Sequence, residues 1–264
     1  MKFKKSILMV LMSSVLLMSG CTSGGDSSST DGLQKIKDRG VLIVGTKVDV
    51  PKFGYKDPAT NEVDGFEIDI ARAIAKKILG DESKIETQAV AAKTRGPLLD
   101  NGEIDLVIAT FTITEERKES YNFSDAYFTD GVALLVKKAA GYNNLKDLDG
   151  KTIGVSQSST TKDSLLKEAE SLGITLNFAE YATYPEIKAA LDSGRIDCFS
   201  VDSAILSGYL DDSTVILDDR YNPQEYGVAS KKSNESLAKV VNEVINEMKE
   251  SGELDKLLEK WEIK

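Results

Sequence analysis

Arg117, Asp202 and Lys47 each stand just beyond an apolar, strand-like run, and each carries a charge that is costly to bury without a partner. Arg117 offers a planar fork suited to a carboxylate, and Asp202 offers an anion suited to an ammonium. Together they match the two charged ends of a free amino acid. Lys47 would then meet a second carboxylate on the ligand's side chain. An acidic amino acid brings one positive and two negative charges, and these three residues bring two positive and one negative, so a closed site would be neutral. Around them stand Thr110 and Thr112, the run from Ser156 to Thr161 with Ser159 and Thr160, Tyr184 at the mouth of a helix begun by Pro185, and Arg95. The backbone N–H groups that open the helix after Thr160 could bind an anion.

Every one of these positions has a plainer reading. Thr110 and Thr112 could simply end a strand, with Thr114 capping a helix and Arg117 on its solvated first turn. Asp202 could cap the helix that starts at Ser203, Arg95 could pair with Asp100, Lys47 could lie in a surface loop and Tyr184 could be a rim aromatic. The case for a site rests on their shared place at strand ends and on their balanced charge.

The elements that would position them alternate along the chain. Strands are predicted over 41–45, 85–90 and 105–109, with helices over 67–79 and 96–101; Ile70, Ile74 and Ile78 supply the four-residue spacing of a helix face. A long strand over 131–137 leaves this unit. A second series follows, with strands over 152–155, 174–181, 196–201 and 214–217 and helices over 162–171, 185–191 and 204–210. A strand over 227–230 and a long amphipathic helix, broken at Gly252, close the chain. Such alternation implies two mostly parallel α/β units, whose ligands sit beyond the carboxyl ends of the strands. The C-terminal helices are expected to pack on the first unit, giving two crossings between lobes.

Composition excludes several chemistries. The 264 residues include no histidine, which removes Ser-His and Cys-His nucleophile systems and His-based zinc sites. Residue 158 in GVSQSST is Ser where a hydrolase elbow needs Gly, and Leu145 stands where a phosphate loop ending in DGKT needs Gly. No cofactor or metal is called for. The formal charge of −10, from 33 basic and 43 acidic residues, argues against nucleic acid as a partner. At the amino end, Lys2, Lys4 and Lys5 precede a mostly apolar stretch over 6–20, shorter than the about 20 residues a membrane span needs. This reads as a secretory signal over 1–20. Its ending, Met18-Ser19-Gly20-Cys21, resembles a lipobox, so Cys21 is expected to carry lipid, with 21–31 a Gly/Ser-rich tether. Cys198, in an apolar run, is expected to be a buried thiol without a disulfide partner.

The segments GTKVDVPKFGYKD (45–57), DGFEIDIARAIAKKILG (64–80), TRGPLLDNGEIDLVIATFTITEERK (94–118), YNFSDAYFTDGVALLVKK (121–138), LKDLDGKTIGVSQSSTTK (145–162), IKAALDSGRIDCFSVD (187–202) and YGVASKK (226–232) together resemble the solute-binding proteins of polar amino-acid ABC importers. The resemblance spans the mature chain. It implies the two-lobed periplasmic-binding-protein fold of type II: lobe one from 32–126 and 228–264, lobe two from 132–224, and hinges at 127–131 and 225–227. It also implies that Arg117, with Ser159 and Thr160, holds the ligand's α-carboxylate, and that Asp202 takes the α-ammonium, assisted by Thr110 and Thr112. Val50 and Ala92 stand where members taking basic or amide side chains often place aromatics. The nearest likeness is to aspartate- and glutamate-binding members, with Lys47, Tyr184, Thr110 and Arg95 around the side-chain carboxylate. Glutamine or another polar amino acid stays open, because Lys47 could swing to solvent. The implied partners are an ABC permease with its ATPase and, through Cys21, the outer face of a membrane; the protein is expected to be a monomer and not an enzyme. A surface sensor or adhesin, and a cyclohexadienyl-dehydratase-like enzyme on the same fold, are the alternatives.

Overall fold

Gly65 has φ 150° and lies so close to Phe53 that a Cβ there would sit 2.1 Å from the Phe53 carbonyl oxygen, so the chain can enter its first long helix only through a glycine. That helix belongs to a computed structural model described over residues 31–263. The signal, Cys21 and all but the last residue of the tether lie outside the described residues.

Lobe one contains α1 (Gly32–Arg39), β1 (Leu42–Thr46), β2 (Asp49–Val50), β3 (Gly54–Lys56), β4 (Val63–Asp64), α2 (Phe66–Leu79), β5 (Ile85–Ala89), α3 (Arg95–Asn101), β6 (Leu106–Ile108), α4 (Glu115–Ser120) and β7 (Tyr121–Phe123). Strand β8 (Phe128–Lys137) crosses to lobe two. There follow β9 (Thr152–Ser156), α5 (Thr161–Leu172), β10 (Asn177–Tyr181), α6 (Tyr184–Asp192), β11 (Cys198–Asp202), α7 (Ser203–Ser207), β12 (Thr214–Ile216) and β13 (Tyr221–Tyr226). The chain then returns through β14 (Ala229–Lys231) to α8 (Glu235–Glu250) and α9 (Glu253–Lys260).

The lobe-one sheet runs β5-β1-β6-β14-β7, with β1 parallel to β5 and β6; the lobe-two sheet runs β10-β9-β11-β8-β12, with β13 added antiparallel to β8. The two-lobed, mixed α/β architecture of type II is therefore present. In the parallel part of each sheet, the carboxyl ends β1, β6, β9 and β11 carry the polar residues singled out above. The short β2-β3-β4 sheet is an addition the pattern did not reveal, because its strands are two or three residues long and separated by turns.

The crossings are tied together. Residues Phe128 to Gly131 already pair with Tyr226 to Pro223, Tyr127 N–H donates to Tyr226 O at 2.8 Å, and Gly227 N–H donates to Phe111 O at 3.2 Å. Phe53, Phe66, Tyr127, Phe128 and Tyr226 fill this region with rings, the closest centroids 5.3 Å apart. Helices α8 and α9 pack on lobe one: Lys77 meets Glu247 at 2.6 Å, and Trp261 Nε1 donates to Asp69 at 2.8 Å.

Candidate ligand-binding site

On the lobe-one wall, β6 ends at a strained turn. Thr110 has φ 44°, a rare conformation for a β-branched residue, and is held from both sides. Its N–H donates to Glu67 Oε1 at 2.6 Å, while Arg95 Nη1 donates to the carbonyls of Ala109 and Thr110 at 2.6 and 3.2 Å. Glu67 is fully buried on α2 and also accepts from the Tyr127 hydroxyl. Burial raises its carboxyl, opposed by the Tyr127 and Thr110 hydrogen bonds and by Arg95. Arg95 therefore scaffolds the turn and stacks on Phe111, 4.1 Å from the ring centroid.

Thr114 does cap α4, accepting from the Arg117 N–H at 3.1 Å, yet this leaves the Arg117 side chain free to turn inward. Its Nη1 donates to Thr112 O at 2.7 Å and its Nη2 reaches Ser158 O on lobe two at 3.4 Å, with the guanidinium 4.6 Å from the Phe111 ring. Burial, then the charge of Arg95, draws it down to about 9. A cation in that position favours an incoming anion.

On the lobe-two wall, Asp202 is 5% exposed and accepts a hydrogen bond from the Tyr226 hydroxyl. Burial pushes its carboxyl up to about 7, against the pull of Tyr226, Arg95 and Arg117 and with a push from Asp130. Asp202 makes no capping bond to α7. That work falls to Asp130, which accepts from Ala204 N–H at 2.6 Å and leaves Asp202 to face the cleft. In the loop after β9, Ser158 has φ 60° and the Ser159 hydroxyl donates to Ser156 O at 2.8 Å. The Thr160 and Thr112 hydroxyls, one from each lobe, both donate to Oε1 of the fully buried Gln224, at 2.6 and 2.9 Å.

Lys47 sits at the end of β1, 2% exposed, with Nζ 4.5 Å from the centre of the Tyr184 ring. It is neither in a surface loop nor free. Asp49 Oδ1 lies 3.0 Å from Nζ; burial lowers the lysine, and Asp49 opposes that shift. Tyr184 is buried, not on a rim.

Arg117, Asp202, Lys47, Tyr184, Thr110 and Thr112 are thus gathered where the lobes meet. Ser159, Thr160 and Arg95 line the same region. Thr112, Ser159 and Thr160 have their hydroxyls bonded to the protein itself, whereas Arg95, tied to the Thr110 turn through Nη1, keeps a buried Nε without a partner among the described residues. Four residues complete the site without having been named as its members. Asp49 stands two positions after Lys47, Glu67 is a carboxylate on the apolar face of α2, and Gln224 and Tyr226 share one face of β13 at the two-residue period of a strand. Among the described residues, no cluster of His, Cys, Asp and Glu could hold a metal, and no helix is long and apolar enough to cross a membrane.

Two lobes joined by paired strands thus carry a half-buried arginine on one wall and a buried aspartate on the other. Residues 42–264 match the model of the bacterial extracellular solute-binding proteins, family 3, and the chain belongs to that family. It is 41% identical over 250 residues to the glutamine-binding protein of Geobacillus stearothermophilus, covering 89% of this chain and 94% of that one. It is 37% identical over 265 residues to the ABC transporter glutamine-binding protein GlnH of Bacillus subtilis (strain 168), covering 97% and 96%. A solved structure of an ancestral arginine-binding protein bound to glutamine superposes with a TM-score of 0.76 at 38% identity, covering 84% of this chain and 98% of that one. The protein is an amino-acid-binding component of ABC transport and not an enzyme.

Proposed function

We propose that the cleft takes a polar amino acid with an uncharged side chain, glutamine foremost, and presents it to an ABC permease and its ATPase. The observation that carries this reading is the ion pair between Lys47 and Asp49. On the sequence alone, the Lys47 charge falls to a second carboxylate on aspartate or glutamate; with Asp49 beside it, that charge is already matched. Arg117 and Asp202 then suffice for the α-carboxylate and α-ammonium, and a neutral side chain keeps the closed site neutral. The similarity to two glutamine-binding proteins points the same way. In this reading Thr110 and Tyr184 border the ligand side chain, while the loop of Ser159 and Thr160 closes over the carboxylate. Lipid on Cys21 would hold the monomer at the outer membrane face through the 21–31 tether, and the lobes would swing about the crossings at 127–131 and 225–227.

The test is a thermal-shift screen of the protein without residues 1–21, unfolded and refolded to strip ligand, against the twenty amino acids, with calorimetry on each hit. A ligand at 1,000 times its Kd adds about 4 kcal/mol. Glutamine is expected to give the largest shift. A response confined to aspartate and glutamate would overturn the uncharged-side-chain reading and leave the amino-acid clamp standing.

A further inference from the structure

We infer that Asp49 is the specificity-determining residue of the cleft, and that its charge is locked in place by closure of the two lobes. This rests on the amino-acid reading above and deepens it. Asp49 lies on lobe one at the start of β2, just past the turn after β1, yet three of its contacts define a junction. Its Oδ1 faces Lys47 Nζ at 3.0 Å, its Oδ2 accepts from Tyr184 N–H at 3.3 Å, and its backbone carbonyl accepts from the Tyr209 hydroxyl. Tyr184 and Tyr209 both belong to lobe two.

The geometry of α6 explains why that N–H is available. Thr183 and Glu186 form a capping box: the Glu186 N–H is taken by Thr183, and the N–H groups of Ala182 and Thr183 are taken by Glu186. Pro185 has no N–H, and Ile187 N–H is directed at Thr183 O. Tyr184 N–H is the donor left in the first turn, at the positive end of the helix, and a carboxylate from the opposite lobe fills it.

When the lobes part, Asp49 loses both lobe-two partners and its carboxylate is free to move into water. When they close, it is pinned between Lys47 and α6. A ligand carboxylate arriving beside Lys47 would then compete with a fixed anion, and Asp49 could yield only by breaking the junction between lobes. A ligand amide meets no such conflict. Selection against acidic side chains is therefore exerted in the closing step.

The experiment measures Kd for glutamine and glutamate by calorimetry on the full chain solubilised in detergent, as wild type, Asp49→Asn, Tyr209→Phe and Lys47→Gln. Asn keeps the shape and an acceptor for Tyr184 N–H but removes the charge. Asp49→Asn is expected to raise the glutamate-to-glutamine affinity ratio at least about 30-fold, whereas Tyr209→Phe, which removes one of the two bonds that pin Asp49, weakens glutamine and raises the ratio by less; a ratio unmoved by Tyr209→Phe overturns the locking by closure. Lys47→Gln leaves Asp49 without its cation and is expected to gain at least about tenfold in arginine affinity. A wild type that binds glutamine with a ratio unmoved by Asp49→Asn overturns the role of Asp49 alone. A wild type that binds no amino acid overturns the underlying reading as well. Should Asp49→Asn show no cooperative melt, the arginine response of Lys47→Gln decides, and its absence overturns the inference.

Discussion

Replacing Asp202 with Asn should make the ligand-free protein more stable and the protein nearly useless. The carboxyl of Asp202 is pushed up to about 7 from an ordinary 3.8, chiefly by burial. A gap of that size corresponds to about 4 kcal/mol by which the closed cleft disfavours the ionised group. Opening of the unliganded lobes rehydrates the carboxylate and recovers part of this, so about 2 kcal/mol is expected in measured stability. The sign follows from where the proton is held. The folded protein binds it more tightly than the unfolded chain, so the penalty is absent below about pH 4, grows as pH rises towards 7 and is complete above it. Asparagine removes it while still accepting from Tyr226. At pH 8 the variant should melt roughly 4–8 °C higher than wild type, and the difference should shrink by more than half at pH 5. Binding moves the other way. An ammonium buried against a neutral amide loses its counter-charge at a cost of about 3–5 kcal/mol, weakening glutamine by roughly 10²–10³-fold or more. Thermal unfolding at both pH values and calorimetry at pH 8 read the two effects. An Asn variant no more stable than wild type at pH 8, or one that binds glutamine within fivefold of it, would refute the assignment.

Arg117→Lys keeps the charge but loses the fork and its bond to Thr112 O, so glutamine affinity should fall about 10–100-fold by calorimetry with stability changed by less than about 1 kcal/mol. Gly208→Ala places a methyl group 2.8 Å from Pro51 across the lobe junction; it should weaken every ligand about tenfold and leave the ligand-free melt unchanged, and small-angle scattering with glutamine should show incomplete closure. Cys198 is fully buried and its thiol is pushed up by burial, so an aromatic disulfide reagent should label it only in denaturant; labelling of the native protein would show that β11 opens far more readily than its packing implies.

The sequence pattern and the structure agree where local periodicity carries the information. The helix face of Ile70 and Ile74, the apolar strand before Thr110 and the break at Gly252 all lie where the pattern puts them, and the ends of those strands lead to Arg117 and Asp202. Two readings of one residue also proved compatible: Thr114 caps its helix while Arg117, three residues on, reaches into the cleft. The charge balance was not legible, because it turns on whether Asp49 points at Lys47, which the turn after β1 and a donor on α6 decide together. Glu67 escaped notice for a related reason. A lone carboxylate on an apolar helix face looks like an interruption until the strained peptide at Thr110, 43 residues away in sequence, supplies its donor. Gln224 and Tyr226 lie in a segment too polar and proline-marked to read as a strand, and only the ladder with β8 sets them into the cleft.

The single tryptophan has a bearing on how this protein can be watched. Trp261 donates its hydrogen bond to Asp69 and has the Lys260 cation over its ring, both on lobe one, so its emission should be almost blind to the swing of the lobes. Tyr184, Tyr209 and Tyr226 sit at the moving boundary instead, and each should change its surroundings as the lobes part. The chain thus carries a silent internal standard and three native reporters, and the ratio of tyrosine to tryptophan fluorescence becomes an unlabelled gauge of how far the cleft has shut.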